Sequence, residues 1–246
     1  ICLVGSEMCI RDRIEAAGLE PDNVDIVLIN DPSINAFVAG GQAVYLHSGL
    51  IDAADSAEEV QGVIAHELGH ITGGHILRYG EGMAAASRIS LLSMIAGIGA
   101  ALAGAGDAAM GIMMAGQQAA MGNFLSFSRT QESSADFAGA QYLSDAGISG
   151  RGSLEFFGKL LNQEYRYGYS QSDEAGFYRT HPLSGDRISA LREVYEGDPA
   201  WERPPDPRNQ ANFERVKAKL TGYISKPSVT LRKYPETDQS LSLIHI

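Results

Sequence analysis

Two histidines and a glutamate stand together in His66-Glu67-Leu68-Gly69-His70, an instance of H-E-x-x-H. On a helix, residues four apart share a face, so His66 and His70 can grip one metal ion between their imidazoles. Glu67 lies beside them, where it can take a proton from a water on that metal. Zinc lowers the pKa of bound water from ~15.7 to about 7, and a neighbouring carboxylate completes the deprotonation. The resulting hydroxide attacks a carbonyl. The five residues alone also fit an amphipathic helix with surface histidines, so their surroundings have to decide.

A catalytic zinc takes three protein ligands and keeps a fourth position for water. Glu132 is the best candidate for the third. It opens Glu132-Ser133-Ser134-Ala135-Asp136, so Glu132 and Asp136 share a helix face. One carboxylate can bind the metal while the other holds a ligand histidine by its free N–H. His181, in Arg179-Thr180-His181-Pro182, can stabilise the oxyanion of a tetrahedral intermediate or cap the metal in a resting state. The bland reading is a loop histidine fixed by Pro182. Arg187 can support His181 or pair with a carboxylate. His47 is a weaker candidate. His75 follows His70 by five residues, off the ligand face, and reads as structural.

These side chains need elements to hold them. Val24 to Ile29 is nearly continuous in apolar residues and predicts a buried strand, stopped by Asn30-Asp31-Pro32. Ser33 to Ala39 and Ala43 to His47 flank Gly40-Gly41. The tight turn predicts that these two strands pair antiparallel. Ser56 and Glu59 form a capping box. Beyond it Val60, Val63, Ile64, Leu68 and Ile71 recur at helical spacing. The histidine motif therefore lies in a helix with a core-facing stripe, weakened at its far end by Gly73-Gly74.

Met83 to Gly122 is rich in Ala, Gly and Met, and Ile89 to Gly106 carries no charge. By length that stretch could span a membrane, but few of its side chains are large. A hairpin of loosely packed helices beside the site fits better than a span, and it could be a lid, a membrane contact or a dimer surface. An ordinary buried helical pair is its rival. Further helices are expected over Phe124 to Ser144, Ser153 to Glu164, Ser184 to Glu196 and Asn209 to Tyr223. Tyr165 to Tyr178 is a tyrosine-rich loop that could line a cleft. Pro199, Pro204, Pro205 and Pro207 mark residues 199–208 as a stiff linker.

The net charge of −11 over 246 residues argues against a phosphate-binding surface, and so against a nucleic-acid partner. Residues 1–13 and 241–246 look like non-native read-through. Both cysteines, Cys2 and Cys9, fall in the first of these stretches, so cysteine usage says nothing about redox compartment.

The histidine motif, Glu132-x-x-Ala135-Asp136 and Thr180-His181-Pro182 followed by Arg187 together resemble the gluzincin peptidase family M48 over residues 14–196. The upstream Asn35-Ala36-Phe37 strengthens the resemblance, and the stretch from Ile29 to Gly41 is most similar to the periplasmic, BepA-type branch. The resemblance implies an α+β, mostly helical zincin-like domain, with a small mixed sheet beside the active-site helix, over residues 14–198. It implies one Zn2+ per chain held by His66, His70 and Glu132, with Glu67 as general base and Asp136 orienting His66. His181 and Arg187 would stand near the scissile bond. Asn35, Ala36 and Phe37 would belong to an edge strand that pairs with the substrate backbone. The implied setting is the bacterial periplasm, possible membrane association included, with unfolded or misassembled envelope proteins as substrates and outer-membrane assembly partners. Residues 209–240 would begin a tetratricopeptide-like region. A function of another class is a holdase that binds unfolded clients over a zinc site capped by His181.

Overall fold

The computed structural model describes residues 11, 14–167, 181 and 185–233, apart from the side chains of 163–167 and 233. The tyrosines beyond 167, Thr180, Pro182, and the suspected read-through at both ends except Arg11 lie outside the described residues. The chain is α+β and mostly helical, with one three-stranded mixed sheet. The strands are β1 (Asp25–Ile29), β2 (Ala36–Ala39) and β3 (Ala43–His47), in the order β1-β3-β2. β3 runs parallel to β1 and antiparallel to β2, with Ala36 opposite Leu46. The turn between β2 and β3 uses φ of +63° at Gly40 and +101° at Gly41, which glycine alone reaches without strain.

Two strand expectations change. β1 is half-covered rather than buried, because it is an edge strand and not the sheet centre. The strand expected over Ser33 to Ala39 shrinks to Ala36–Ala39. There Asp31 Oδ1 accepts the Ser33 N–H at 2.8 Å, so the preceding backbone makes a turn instead of a ladder. Side chains alternate across the sheet. Ala36, Val44 and Leu46 are buried in the core. Phe37 stacks on Tyr45 at 5.0 Å and meets His47 edge-on at 5.9 Å.

The helices are α1 (Ser48–Ala53), α2 (Ala57–Thr72), α3 (His75–Leu102), α4 (Gly106–Asp145), α5 (Arg151–Tyr167), α6 (Gly185–Glu196), α7 (Pro207–Ile224) and α8 (Pro227–Lys233). α2 is the centre, with every residue from Gln61 to His70 buried. Ser56 Oγ accepts the Glu59 N–H at 3.2 Å. Glu59 reaches back to the Asp55 N–H at 2.9 Å, one residue beyond the usual capping-box target. Lys159 on α5 holds that buried carboxylate at 2.6 and 2.8 Å.

The helices approach α2 at glycines. A Cβ on Gly69 would lie 2.6 Å from the Ala135 carbonyl oxygen, and one on Gly139 would lie 3.0 Å from Ala65 backbone atoms. α2 and the inner half of α4 are thus nearly in backbone contact, which brings the Glu132 turn over the two histidines. Leu68, Val63, Leu143, Phe156, Phe157 and Leu160 fill the space around that crossing.

α3 and the outer half of α4 form an antiparallel hairpin, with Gly97 facing Met113 and Gly116 facing Ser93. The 28 residues of α3 span about 42 Å at 1.5 Å per residue. The buried-pair expectation is overturned: between 89 and 122 only Gly97, Ala109 and Ala120 are buried. Leu92, Ile95, Met110 and Met114 each expose more than half their surface. Phe124 to Ser144, expected as a separate helix, continues the outer segment in one 40-residue helix. By length and composition, His75–Leu102 is one helix long and apolar enough to cross a membrane.

Residues beyond α6 lie against this domain. The Arg151 guanidinium sits 4.2 Å over the Trp201 ring, Gln210 Oε1 accepts the Ala57 N–H at 3.1 Å, and Lys217 donates to the Ala54 carbonyl.

Candidate metal centre

α2 places His66 and His70 one turn apart, with Nε2 atoms 3.1 Å from each other. α4 crosses above them and delivers Glu132. Its Oε2 lies 3.4 Å from His66 Nε2, and its Oε1 lies 3.5 Å from His70 Nε2. His181 closes the group from the far side, its Nδ1 3.3 Å from His66 Nε2 and 3.2 Å from both Glu132 oxygens. All four side chains are buried, and their ligand atoms fall within 4.8 Å of one another.

This arrangement fits a metal ion. Several ring nitrogens and a carboxylate point at one spot, where buried lone pairs would repel unless a cation sat among them. Zinc–nitrogen bonds of about 2.0–2.1 Å at tetrahedral angles put neighbouring ligand atoms about 3.4 Å apart. The separations here, 3.1 to 3.5 Å, are of that size. Glu67 adds a second sign. It is wholly buried, and among the described residues neither carboxylate oxygen accepts a hydrogen bond. His181 Nε2 stands 3.4 Å from Glu67 Oε1.

A second ring of contacts aims the ligands. Asp136, one turn after Glu132, lies 2.9 Å from His66 Nδ1. Arg187 of α6 grips Asp136 with Nε at 2.8 Å and a terminal nitrogen at 2.9 Å, and reaches Glu132 at 3.3 Å. Arg187 thus meets both Glu132 and Asp136. His70 Nδ1 lies 2.9 Å from His75 Nδ1. The sequence reading set His75 off the ligand face by continuing α2 through it. The chain instead turns at Gly74, φ +61°, and brings His75 back. The signal was the Gly73-Gly74 pair itself. His47, at the end of β3, bonds Ser33 Oγ at 2.8 Å, outside this cluster.

The β2 edge borders the site. His181 Nε2 lies 3.3 Å from the Ala36 carbonyl oxygen. Phe37 faces Tyr45 across the sheet, and Asn35 offers its carbonyl to the His47 N–H at 3.0 Å.

The charges are strongly coupled. Burial opposes charging His66, but Asp136 and Glu132 outweigh it and raise its pKa. Burial, then His66 and His181, push His70 well down. Burial opposes ionising Glu132, yet His181 and His66 hold it far below the usual carboxylate range. Glu67 is pushed up by burial, against the pull of His181 and His66.

Residues 6–195 match the description Peptidase family M48. The chain belongs to that family. Membership places it among the metallopeptidases, hydrolases of peptide bonds. Among its relatives is a putative beta-barrel assembly-enhancing protease of Vibrio cholerae, 36% identical over 79% of this chain and 39% of that protein. The beta-barrel assembly-enhancing protease of Escherichia coli K12 is 34% identical over 79% of this chain and 38% of its own length. Metalloprotease LoiP of the same organism is 29% identical over 73% and 65%. The chain thus spans about two fifths of the two assembly-enhancing proteases it matches.

Proposed function

We propose that this chain is a zinc endopeptidase with one zinc held by His66, His70 and Glu132. The observation that carries the proposal is the buried convergence of those three side chains beside a Glu67 carboxylate that accepts no hydrogen bond among the described residues. Zinc, when bound, acidifies the attacking water and polarises the scissile carbonyl. Glu67 takes the proton from that water and passes it to the leaving amine. It is buried beside the cluster with His181 Nε2 at 3.4 Å, a position from which it can take the proton and return it. Asp136 fixes the His66 ring, and Arg187 neutralises the two carboxylates that would otherwise repel across one turn of α4. In this reading β2 is the edge strand of the sheet, and Ala36 and Phe37, with Asn35 just before them, pair with an extended substrate backbone.

His181 has two roles in this reading. In the geometry described it stands where a fourth ligand would, which is a resting, capped site. Displaced, it lies near the scissile carbonyl and can donate to the developing oxyanion. A holdase whose site stays closed while clients bind elsewhere would share that capped geometry, but the relatives are named as proteases.

The substrates we infer are unfolded or misassembled envelope proteins, and the place is the bacterial periplasm or its membrane surface. The support is the relatives named for beta-barrel assembly and the exposed apolar hairpin. Residues 14–198 form the peptidase domain in this reading, and α7 and α8 begin a further helical region.

The test is cleavage of casein by wild type and Glu67→Gln, with zinc measured on the same samples. Cleavage by wild type alone, with about one zinc in each, is the expected result. Zinc in both and cleavage in neither would favour the holdase, and His181→Ala should then release activity if capping is the cause.

A further inference from the structure

We propose that His75 is a positioning residue for the metal ligand His70. Its Nδ1 accepts the proton of His70 Nδ1, which leaves the lone pair on His70 Nε2 and points it into the cluster. The inference rests on the zinc reading of the site. Four observations carry it. The two Nδ1 atoms are 2.9 Å apart. The rings meet edge-on, 81° between planes, so the contact is not a face-to-face stack. His75 is 7% exposed, although it is the first residue of a helix whose next residues face solvent. And the backbone is shaped around it. A Cβ on Gly73 would overlap the His75 ring, and Gly74 takes φ +61°.

A helix that only needed to end could do so with one glycine. Here the first glycine vacates the space the ring fills, and the second reverses the chain to aim it. The result mirrors the other ligand: His66 has Asp136 at 2.9 Å from its Nδ1, and His70 has His75 at the same distance. The partners differ in charge. Asp136 is an anion balanced by Arg187, whereas His75 is an imidazole that holds His70 without adding a further carboxylate beside Glu67, Glu132 and Asp136. Partners of this kind fix the tautomer and ring angle of a metal-bound histidine.

The experiment is zinc affinity of the full chain by chelator competition, with the visible spectrum of the cobalt-substituted protein as second readout. His75→Phe keeps a ring in place and cannot accept a hydrogen bond. We expect zinc to bind it about 10–100-fold more weakly, with altered cobalt bands, which is the usual effect of losing such a partner. His75→Asn puts an oxygen where Nδ1 was and should recover most of the affinity. Gly73→Ala, which displaces the ring without removing it, should weaken zinc as His75→Phe does. Zinc affinity within threefold of wild type in His75→Phe, with an unchanged cobalt spectrum, would overturn the inference. So would a folded His75→Asn that binds no better than His75→Phe. A wild-type chain that takes up no zinc would instead sink the proposed function, so the two failures are told apart.

Discussion

Asp136 joins a candidate metal ligand to a buried cation, touching His66 on one side and Arg187 on the other. Asp136→Asn removes the anion while keeping the shape. Arg187 then remains buried with only part of its charge answered, and breaking such a pair costs about 3–5 kcal/mol. Zinc should bind the Asn variant about 10–100-fold more weakly, and its thermal midpoint should fall in both the zinc-loaded and the zinc-free protein. Unchanged zinc affinity would show that His66 needs no anionic partner. At this scale the sequence was informative where chemistry repeats on a helix. His66, His70, Glu132 and Asp136 were legible from i, i+4 spacing. The contact of His75 with His70 was not, because a turn that reverses the chain hides a neighbour from any periodic count.

Gly69 occupies an unspecified position of the H-E-x-x-H pattern, yet the crossing of α2 and α4 depends on it. A methyl there meets the Ala135 backbone oxygen and Cα, and backbone cannot swing aside as a side chain can. Gly69→Ala should cost about 1–3 kcal/mol by overpacking. It should also lose zinc, because α4 can yield only by carrying Glu132 away; circular dichroism with zinc analysis would show a folded, metal-poor protein. α2 and α5 are joined differently, by Lys159 on Asp55 and Glu59. Lys159 lowers the Asp55 pKa, so that contribution is present above the usual carboxylate range and lost as pH falls through the lowered value. Burial opposes the Lys159 charge, but Asp55 and Glu59 raise its pKa, so its share is full below about 10.5 and lost only above that. Lys159→Met should therefore destabilise by about 1–2 kcal/mol at neutral pH, less than a fully buried pair because Lys159 is partly exposed. The difference from wild type should shrink below about pH 4, which denaturant titrations at several pH values would measure. The sequence predicted α2 well, since its cap and apolar spacing agree. It misread α4, where Ala, Gly and Met give no amphipathic edge to mark how far a helix runs.

The whole molecule is a packed domain with a long apolar arm. Gly116 and Ser93 are in contact across the arm, so residues 94–115 can be replaced by a short Gly-Ser turn. The shortened chain should keep its zinc and its thermal stability, because the core lies elsewhere. Its binding to liposomes and to an apolar dye should drop severalfold; undiminished binding would place the sticky surface somewhere other than the arm. The arm's two legs do not end in neutral ground. α3 begins at His75, against His70, and α4 runs on into Glu132 and Asp136. Taken as a lever, an arm about 40 Å long whose tip is pulled aside by about 10 Å tilts by roughly 14°. That tilt moves atoms about 4 Å from the pivot by about 1 Å, when metal ligands tolerate about 0.2 Å. A grip on the far end is thereby transmitted, mechanically and at reduced amplitude, to the atoms that set the grip on zinc.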